Sequence, residues 1–313
     1  MARILVTGAA GFVGRAVCGA LMAHGHAVVA GLRRPGAAIG GTAPRVLGEI
    51  AADRAWRDAF AGIDVVIHLA QRAHAAARGR LADEPAAAAN MARAAAQAGV
   101  RRIVYVSSIK AMGEATAPGR PFRPNDPPRP QDAYGEAKLA SERALAAAAQ
   151  AAGIAVAIIR PPLVYGPGVE ANFRALMRLA ASGWPLPFAA LDNRRSLVFL
   201  DNLADLVACA AVHPATPGRV LLVRDANLAI PALIRALAAA IGRPVRLFAV
   251  PAWAWAPLRP LPAAGKRVAR LTGTLEIDDA ATRDLLGWAP PTSPEAGLAA
   301  TARAFATARR PLS

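Results

Sequence analysis

The chain has 313 residues, of which 55% are hydrophobic and 19% are charged, so it is too apolar for a disordered chain and fits one large α/β domain or two small ones. Its net charge of +16 comes from 37 basic residues, only three of them lysines. The arginines are scattered with few aromatic neighbours, which argues against a nucleic-acid partner and allows attraction of anionic substrates such as nucleotides. Two cysteines are too few for a disulfide framework or a four-ligand zinc site, and no metal is expected.

Short β-branched runs alternate with longer helical patterns through the first half of the chain. Strands are predicted at 3–7, 27–32, 45–48, 64–68, 103–107 and 155–160, and helices at 12–24, 54–60, 85–98 and 132–152. This alternation predicts an α/β fold with a doubly wound parallel sheet covered on both faces. Prolines become frequent after Arg160. We therefore predict a dinucleotide-binding domain over 1–165, to which segment 196–213 returns, and a smaller, mostly substrate-binding part over 166–313.

Neither a membrane segment nor a targeting segment is expected. No uncharged apolar run reaches the 18 residues that would suggest a transmembrane helix, and the first residues enter a strand-like pattern directly. We therefore expect a cytoplasmic protein without stable membrane insertion. Trp253 and Trp255 alternate beside prolines, and we expect them to cover the C-terminal core, with membrane-surface attachment as the alternative.

Three glycines follow the first predicted strand at the spacing G-x-x-G-x-x-G, and a helix begins within the motif. Gly8 permits a tight turn, Gly11 lets the backbone approach a pyrophosphate, and Gly14 lets the helix pack on the strand. The helix start, with Phe12 and Val13, adds free N–H groups and a positive dipole. The motif predicts a Rossmann-type sheet that binds a dinucleotide at this loop.

The end of the second predicted strand bears on the choice of dinucleotide. No Asp or Glu stands where it would hold a ribose 2′-hydroxyl, and Arg33 and Arg34 follow instead. Arginine can pair with a 2′-phosphate, which favours NADP over NAD. The alternative is that both are solvated loop residues, and NAD then remains open as the cofactor.

A serine, a tyrosine and a lysine form the candidate catalytic group. Ser107 and Ser108 end the fifth strand, and of the two Ser108 is the better candidate to hydrogen-bond a substrate oxygen. Tyr134 and Lys138 are four positions apart and so project from one face of a helix. An ammonium at ~4 Å would stabilise the phenolate by roughly 4 kcal/mol at an effective dielectric constant of ~20, which predicts a lowered pKa for Tyr134.

The glycine loop and the Ser/Tyr/Lys group, in this order, resemble the extended short-chain dehydrogenase/reductases of the NAD-dependent epimerase/dehydratase family. The resemblance covers nearly the whole chain. It is closest to 4-keto reductases that form UDP-N-acetylquinovosamine and to proteins like UDP-glucose 4-epimerase. The segments that carry it are VSSIK (106–110), RPPLVYGPG (160–168), ANF (171–173), RSLVFLDNL (195–203) and LTGTL (271–275).

The resemblance implies several further binding residues. Asn172 and Arg195 would hold the diphosphate of a UDP-sugar, the small-molecule substrate, and a planar guanidinium suits that task. Ala70, in a turn after the fourth strand, would lie against the cofactor, and both Tyr134 and Lys138 would contact cofactor as well as substrate. The resemblance also implies that the helix at 85–98 helps to form a homodimer.

The chain departs from the family pattern in three places. Ile109 and Lys110 stand where dehydratases carry Asp-Glu, so a dehydratase would lack its acid–base pair. The stretch between His68 and the helix at 85–98 is short. The asparagine that usually opens that helix is absent, and Glu84 or Pro85 falls near its place.

The leading hypothesis is a reductase in which NADPH gives hydride to C4 of a UDP-4-keto-6-deoxy-N-acetylhexosamine. Tyr134 would protonate the new alkoxide, Lys138 would lower the pKa of Tyr134, and Ser108 would polarise the carbonyl. One alternative is a UDP-hexose 4-epimerase that retains NAD tightly. Another is a non-catalytic nucleotide-binding member of the family.

Overall fold

The computed structural model describes residues 1–36, 39–51, 54–56, 58–70, 81–251, 254, 265, 268–269 and 271–307. Trp253 and Trp255, expected to cover the C-terminal core, lie outside the described residues. Within the described ranges, every helix is too short or too polar to cross a bilayer.

The larger sheet has seven parallel strands in the order β3-β2-β1-β4-β5-β6-β9. Its strands are β1 (Arg3–Thr7), β2 (Ala27–Leu32), β3 (Ala43–Val46), β4 (Val65–His68), β5 (Arg102–Val106), β6 (Ala155–Arg160) and β9 (Val220–Leu222). The first six follow the order of a Rossmann-type sheet, whose ligands bind at the carboxyl ends of the strands. The predicted fold class is confirmed.

The apolar runs of these strands place side chains on both faces of the larger sheet, because successive residues of a strand point to opposite sides. Ile4 and Val6 face α1 (Phe12–Ala23) and α5 (Leu200–Val212), whereas Leu5 faces the other layer. That second layer consists of α2 (Glu84–Gln97) and α3 (Ala133–Ala151). Burying each such side chain contributes roughly 1.5–3 kcal/mol.

Two predicted elements differ from the structure. The third strand is predicted at 45–48 but runs over Ala43–Val46, because Gly48 has a left-handed backbone with φ of 68° and ends the extended run. The helix predicted at 54–60 is a single 3-10 turn, Asp58–Phe60, in the part that the structure describes. The turn stays short because Gly62, two residues after it, has a left-handed backbone with a φ of 67°.

The C-terminal part is built around a three-stranded sheet of order β10-β8-β7. Its strands are β7 (Leu163–Tyr165), β8 (Arg194–Phe199) and β10 (Ala226–Ala229). The helices of this region, apart from α5, are α4 (Ala171–Ala180), α6 (Ile230–Ile241), α7 (Ala280–Leu286) and α8 (Pro294–Thr307). Helix α5 follows β8 directly and packs against α1, which covers one face of the larger sheet. The chain therefore crosses between the two sheets more than once.

Candidate active site

The glycine loop connects β1 to α1 and lies at the carboxyl end of β1. Gly8 has a φ of 70°, and a Cβ there would lie 2.9 Å from the backbone nitrogen of Ala70. A Cβ on Gly14 would lie 2.2 Å from the carbonyl oxygen of Gly8. Gly11 is the N-cap of α1 and has extended backbone, so the helix begins as predicted. The loop therefore fits a dinucleotide pyrophosphate, which needs bare backbone and a helix N-terminus.

Phe12 and Val13 are half-buried, and their side chains serve packing. Phe12 contacts the core of the C-terminal part, and Val13 contacts the core between the larger sheet and α1. Only their backbone N–H groups, which lie in the first turn of the helix and have no helical acceptor, point to a ligand role.

An open cavity with a volume of about 130 Å³ lies along the carboxyl ends of β1, β2, β4 and β5. Gly8, Arg33 and Ala70 line it, whereas the exposed Arg34 does not. Three carboxylates also line it, Glu49, Asp83 and Glu84. The carboxyl ends of the strands are where Rossmann-type sheets bind dinucleotides, and Arg33 lies at the β2 end of this cavity.

A row of side chains crosses the sheet beneath this cavity. Thr7, His68 and Tyr105 are in lateral register on β1, β4 and β5. The Thr7 hydroxyl lies 2.8 Å from Nδ1 of His68, and the His68 ring stacks on Tyr105 at 5.6 Å. Nζ of Lys138 donates to the Tyr105 hydroxyl at 3.2 Å. The row thus links the phosphate loop to the candidate catalytic lysine.

The protonation states in this row follow from its hydrogen bonds. Thr7 Oγ1 accepts from the backbone nitrogens of Leu69 and Ala70, each at 3.2 Å, so its own proton goes to Nδ1 of His68. His68 is therefore neutral and carries its proton on Nε2. Burial, with the positive charge of Lys138, lowers the pKa of His68 to about 3. Burial also raises the pKa of Tyr105, which stays a neutral phenol.

Tyr134 and Lys138 lie on one face of α3, as the spacing predicts. The Lys138 ammonium lies 5.8 Å from the centre of the Tyr134 ring and is fully buried. Burial lowers the pKa of Lys138 to about 7, although Glu84 and Glu142 act in the opposite direction.

The pKa of Tyr134 moves opposite to the expected direction. Burial, with the negative charges of Glu84 and Asp132, raises it to about 12. The expected lowering required an ammonium at ~4 Å, whereas Lys138 is directed at Tyr105. Tyr134 is thus a protonated phenol at neutral pH.

The two serines at the end of β5 have different surroundings. Ser108 is half-buried, and its Oγ accepts from the Lys110 backbone nitrogen at 3.2 Å, which orients the hydroxyl and leaves its proton to donate. Ser107 is buried, and its Oγ has no hydrogen-bond partner among the described residues. A buried hydroxyl without a partner is a group for which a ligand can supply the missing bond.

Asn172 and Arg195 lie in the C-terminal part and do not line the cavity described above. Asn172 is exposed in the first turn of α4. Arg195 lies on β8, half-buried, and its Nη1 donates to the carbonyl oxygen of Gly273 at 2.8 Å. This bond orients the guanidinium of Arg195 toward the segment that contains Gly273.

Comparison with known proteins gives the chain a family. The family model described as the NAD dependent epimerase/dehydratase family matches residues 4–223. The chain belongs to this family. It is accordingly an NAD-dependent enzyme, either an epimerase or an oxidoreductase.

Three similar proteins cover almost the whole chain. A UDP-glucose 4-epimerase of Vibrio cholerae is 37% identical over 96% of this chain and 95% of its own length. The structure of a UDP-N-acetylglucosamine 4-epimerase from Bacillus cereus superposes with a TM-score of 0.77 at 19% identity and covers 99% of this chain and 100% of that one. MoeE5 in complex with UDP-glucuronic acid and NAD gives 0.76 at 25% identity, over 98% and 99%.

Sequence reasoning missed several residues at the site of this family member. Tyr105 could have been found as the one polar side chain pointing to its face of β5. Glu49 follows a short strand whose end was misplaced, which hid its position. Glu84 was named only as the residue near a missing asparagine, and the structure makes it the first residue of α2 and a wall of the cavity.

Proposed function

We propose that this chain is an NADPH-dependent reductase that converts a UDP-4-keto-6-deoxy-N-acetylhexosamine to UDP-N-acetylquinovosamine or its 4-epimer. The observation that carries the proposal is the placement of Tyr134 and the buried Lys138 on one face of α3, with Lys138 hydrogen-bonded to Tyr105, which lines the cavity that begins at the glycine loop. The relatives that act on UDP-sugars by name support the substrate class.

When bound, a reduced nicotinamide supplies the hydride for C4. Ser108 donates its hydroxyl proton in a hydrogen bond to the carbonyl oxygen and stabilises the charge that develops there. Tyr134 transfers its phenol proton to the same oxygen, which completes the two-electron reduction of the ketone to an alcohol. Lys138 lies beside Tyr134 and stabilises the phenolate left behind.

The direction of proton transfer favours a reductase. A reductase needs the phenol form of Tyr134 at the start of the reaction, whereas an oxidation of the sugar at C4 starts from the phenolate. A pKa of about 12 keeps the phenol form at neutral pH. Burial and two carboxylates thus keep Tyr134 in the protonated form from which the reduction starts.

Two sets of basic residues would bind the anionic groups. Arg33 lines the cavity at the end of β2, where it would pair with a 2′-phosphate, and this supports NADP over NAD. Arg195, with Asn172, would hold the diphosphate of the substrate.

The test is NADPH oxidation by purified protein with and without the 4-keto sugar. We expect oxidation only with the sugar present. Tyr134→Phe should lower kcat by about 10²–10⁴-fold, because the proton donor is lost, while NADPH binding stays within about threefold. Oxidation at the wild-type rate by Tyr134→Phe would remove Tyr134 from the mechanism.

A UDP-hexose 4-epimerase is the second candidate, favoured by the name of the Vibrio cholerae relative. The same Ser108, Tyr134 and Lys138 would serve removal and return of hydride at C4. Denaturing freshly purified protein distinguishes the two. One equivalent of released NAD favours the epimerase, and protein without dinucleotide that binds NADPH more tightly than NADH favours the reductase.

A further inference from the structure

Lys110 is part of a compact charged cluster next to the catalytic group. Its Nζ donates to Oε1 of Glu114 at 2.6 Å and also to a carboxylate oxygen of Asp132. The three side chains are each about one-third exposed. Asp132 is the N-cap of α3, and its other oxygen accepts from the Gly135 backbone nitrogen at 2.7 Å.

The backbone of Lys110 also contacts both Ser108 and helix α3. Its N–H donates to Ser108 Oγ, so it orients the hydroxyl that would bind the substrate oxygen in the proposed reaction. Its carbonyl oxygen lies so close to α3 that a Cβ on Gly135 would be 2.4 Å from it. The turn that carries Ser108 therefore packs directly on the helical turn that carries Tyr134.

We propose that Lys110 is a positioning residue, whose side chain holds the Ser108 turn against the N-terminus of the helix that bears Tyr134. The distance between the Ser108 and Tyr134 hydroxyls is thereby fixed, although the two residues lie on separate elements. This inference rests on the proposed function, because it assigns Lys110 to the acid–base group of that reaction.

The charge of Lys110 has a second effect on the site. Asp132 is one of the two carboxylates whose charge raises the pKa of Tyr134, the other being Glu84. Burial acts to raise the pKa of Asp132 itself, but hydrogen bonds from Lys110 and the Gly135 N–H lower it overall. Without the ammonium, the negative charge of Asp132 would no longer be offset, and the electrostatic potential at Tyr134 would become more negative.

The experiment compares Lys110→Met with Lys110→Arg, in full-length protein assayed for NADPH oxidation with the 4-keto sugar. We expect Lys110→Met to lower kcat about tenfold with KM changed less than threefold, and its pH profile to shift as the Tyr134 pKa rises. Arginine restores both carboxylate contacts, so Lys110→Arg should recover kcat to within about threefold. The matched control is Arg101→Met, which removes an exposed ion pair with Asp64 of 3.0 Å.

A second readout does not depend on activity. Hydrogen exchange of the peptide over 132–138 should be at least about fivefold faster in Lys110→Met than in wild type, and unchanged in Lys110→Arg and Arg101→Met. Unchanged kcat, pH profile and exchange in Lys110→Met would overturn the proposal, as would equal losses in Lys110→Met and Arg101→Met. If wild type reduces no 4-keto sugar but exchange responds as stated, the proposed reaction is wrong while Lys110 still positions the helix.

Discussion

Two of the three lysines of this chain, Lys110 and Lys138, lie close to the segment that carries Tyr134, but their surroundings differ. Lys138 is fully buried, and its ammonium contacts the neutral hydroxyl of Tyr105. Lys110 is partly exposed and contacts the carboxylates of Glu114 and Asp132. Burial next to a neutral partner makes the charge of Lys138 adjustable near neutral pH, which suits chemistry. Because Lys110 contacts two carboxylates on different segments, it is suited to holding those segments together.

The largest expected effect comes from the buried ion pair one helical turn beyond Lys138. Glu142 and Arg160 are almost fully buried, and Arg160 Nε donates to Glu142 Oε1 at 3.0 Å. Glu142→Leu leaves a buried guanidinium unpaired and should lower the free energy of unfolding by about 3–5 kcal/mol. The double variant with Arg160→Leu should recover most of this loss. Urea unfolding measures both, and a single variant that costs less than about 1 kcal/mol would contradict the buried setting.

The buried charge of Lys138 should also appear in the pH dependence of stability. Its folded-state pKa of about 7 lies below the unfolded value of 10.5, so the unfolded chain binds the proton more tightly. The destabilisation is therefore full below pH 7 and disappears as the pH rises toward 10. Lys138→Met should be more stable than wild type by roughly 2–4 kcal/mol at pH 6, at about 1.4 kcal/mol per pKa unit, and the gain should shrink by pH 9. A gain independent of pH would show that the charge is not responsible.

Tyr105→Phe tests the neutral partner of Lys138. The ammonium loses its hydroxyl acceptor but keeps the aromatic ring, whose centre lies 4.9 Å from Nζ. We expect a loss of about 1–2 kcal/mol in the free energy of unfolding at pH 6 and a smaller loss at pH 9, where Lys138 is neutral. Lys138→Met in the same background serves as control, because the hydroxyl should then contribute little. An equal loss in both backgrounds would mean that the Tyr105 hydroxyl acts elsewhere.

The smallest effect concerns His68. Because its pKa is about 3, its imidazole should keep the Nε2–H form throughout pH 5–8. Nitrogen NMR of labelled protein should show one histidine with constant shifts over this range, and His68→Gln should remove that signal. Titration of the His68 signal with a midpoint near 6.5 would show that the row beneath the cavity is open to water.

The sequence predicts those parts of the site that depend on local spacing. Gly8, Gly11 and Gly14 identify the phosphate loop, and the Tyr134–Lys138 interval places both side chains on one helical face. Contacts between segments that are far apart in the chain leave no such spacing pattern in the sequence. Lys110 and Asp132 are 22 positions apart, and their ion pair follows only from how β5 and α3 pack.

Burial is the second quantity that local spacing does not give. The raised pKa of Tyr134 was missed because desolvation outweighs a lysine that points to Tyr105. The early end of β3 was missed because Val46 and Leu47 look alike in sequence, although the turn at Gly48 separates strand from loop. The other five predicted strands of the larger sheet agree with the structure within one or two residues, since buried parallel strands are continuous apolar runs. The seventh strand, β9 (Val220–Leu222), was not predicted, because three residues are too short a run to stand out in the sequence.

The most direct measurement follows the hydride. Wild-type protein would be given the UDP-4-keto-6-deoxy-N-acetylhexosamine and NADPH deuterated at C4 of the nicotinamide, and the product analysed by mass spectrometry and NMR. The account predicts one deuterium at C4 of the sugar, with about 10²–10⁴-fold slower incorporation in Tyr134→Phe. A product without deuterium, from protein that instead retains one equivalent of NAD and interconverts UDP-hexoses, would contradict the reductase and establish the epimerase.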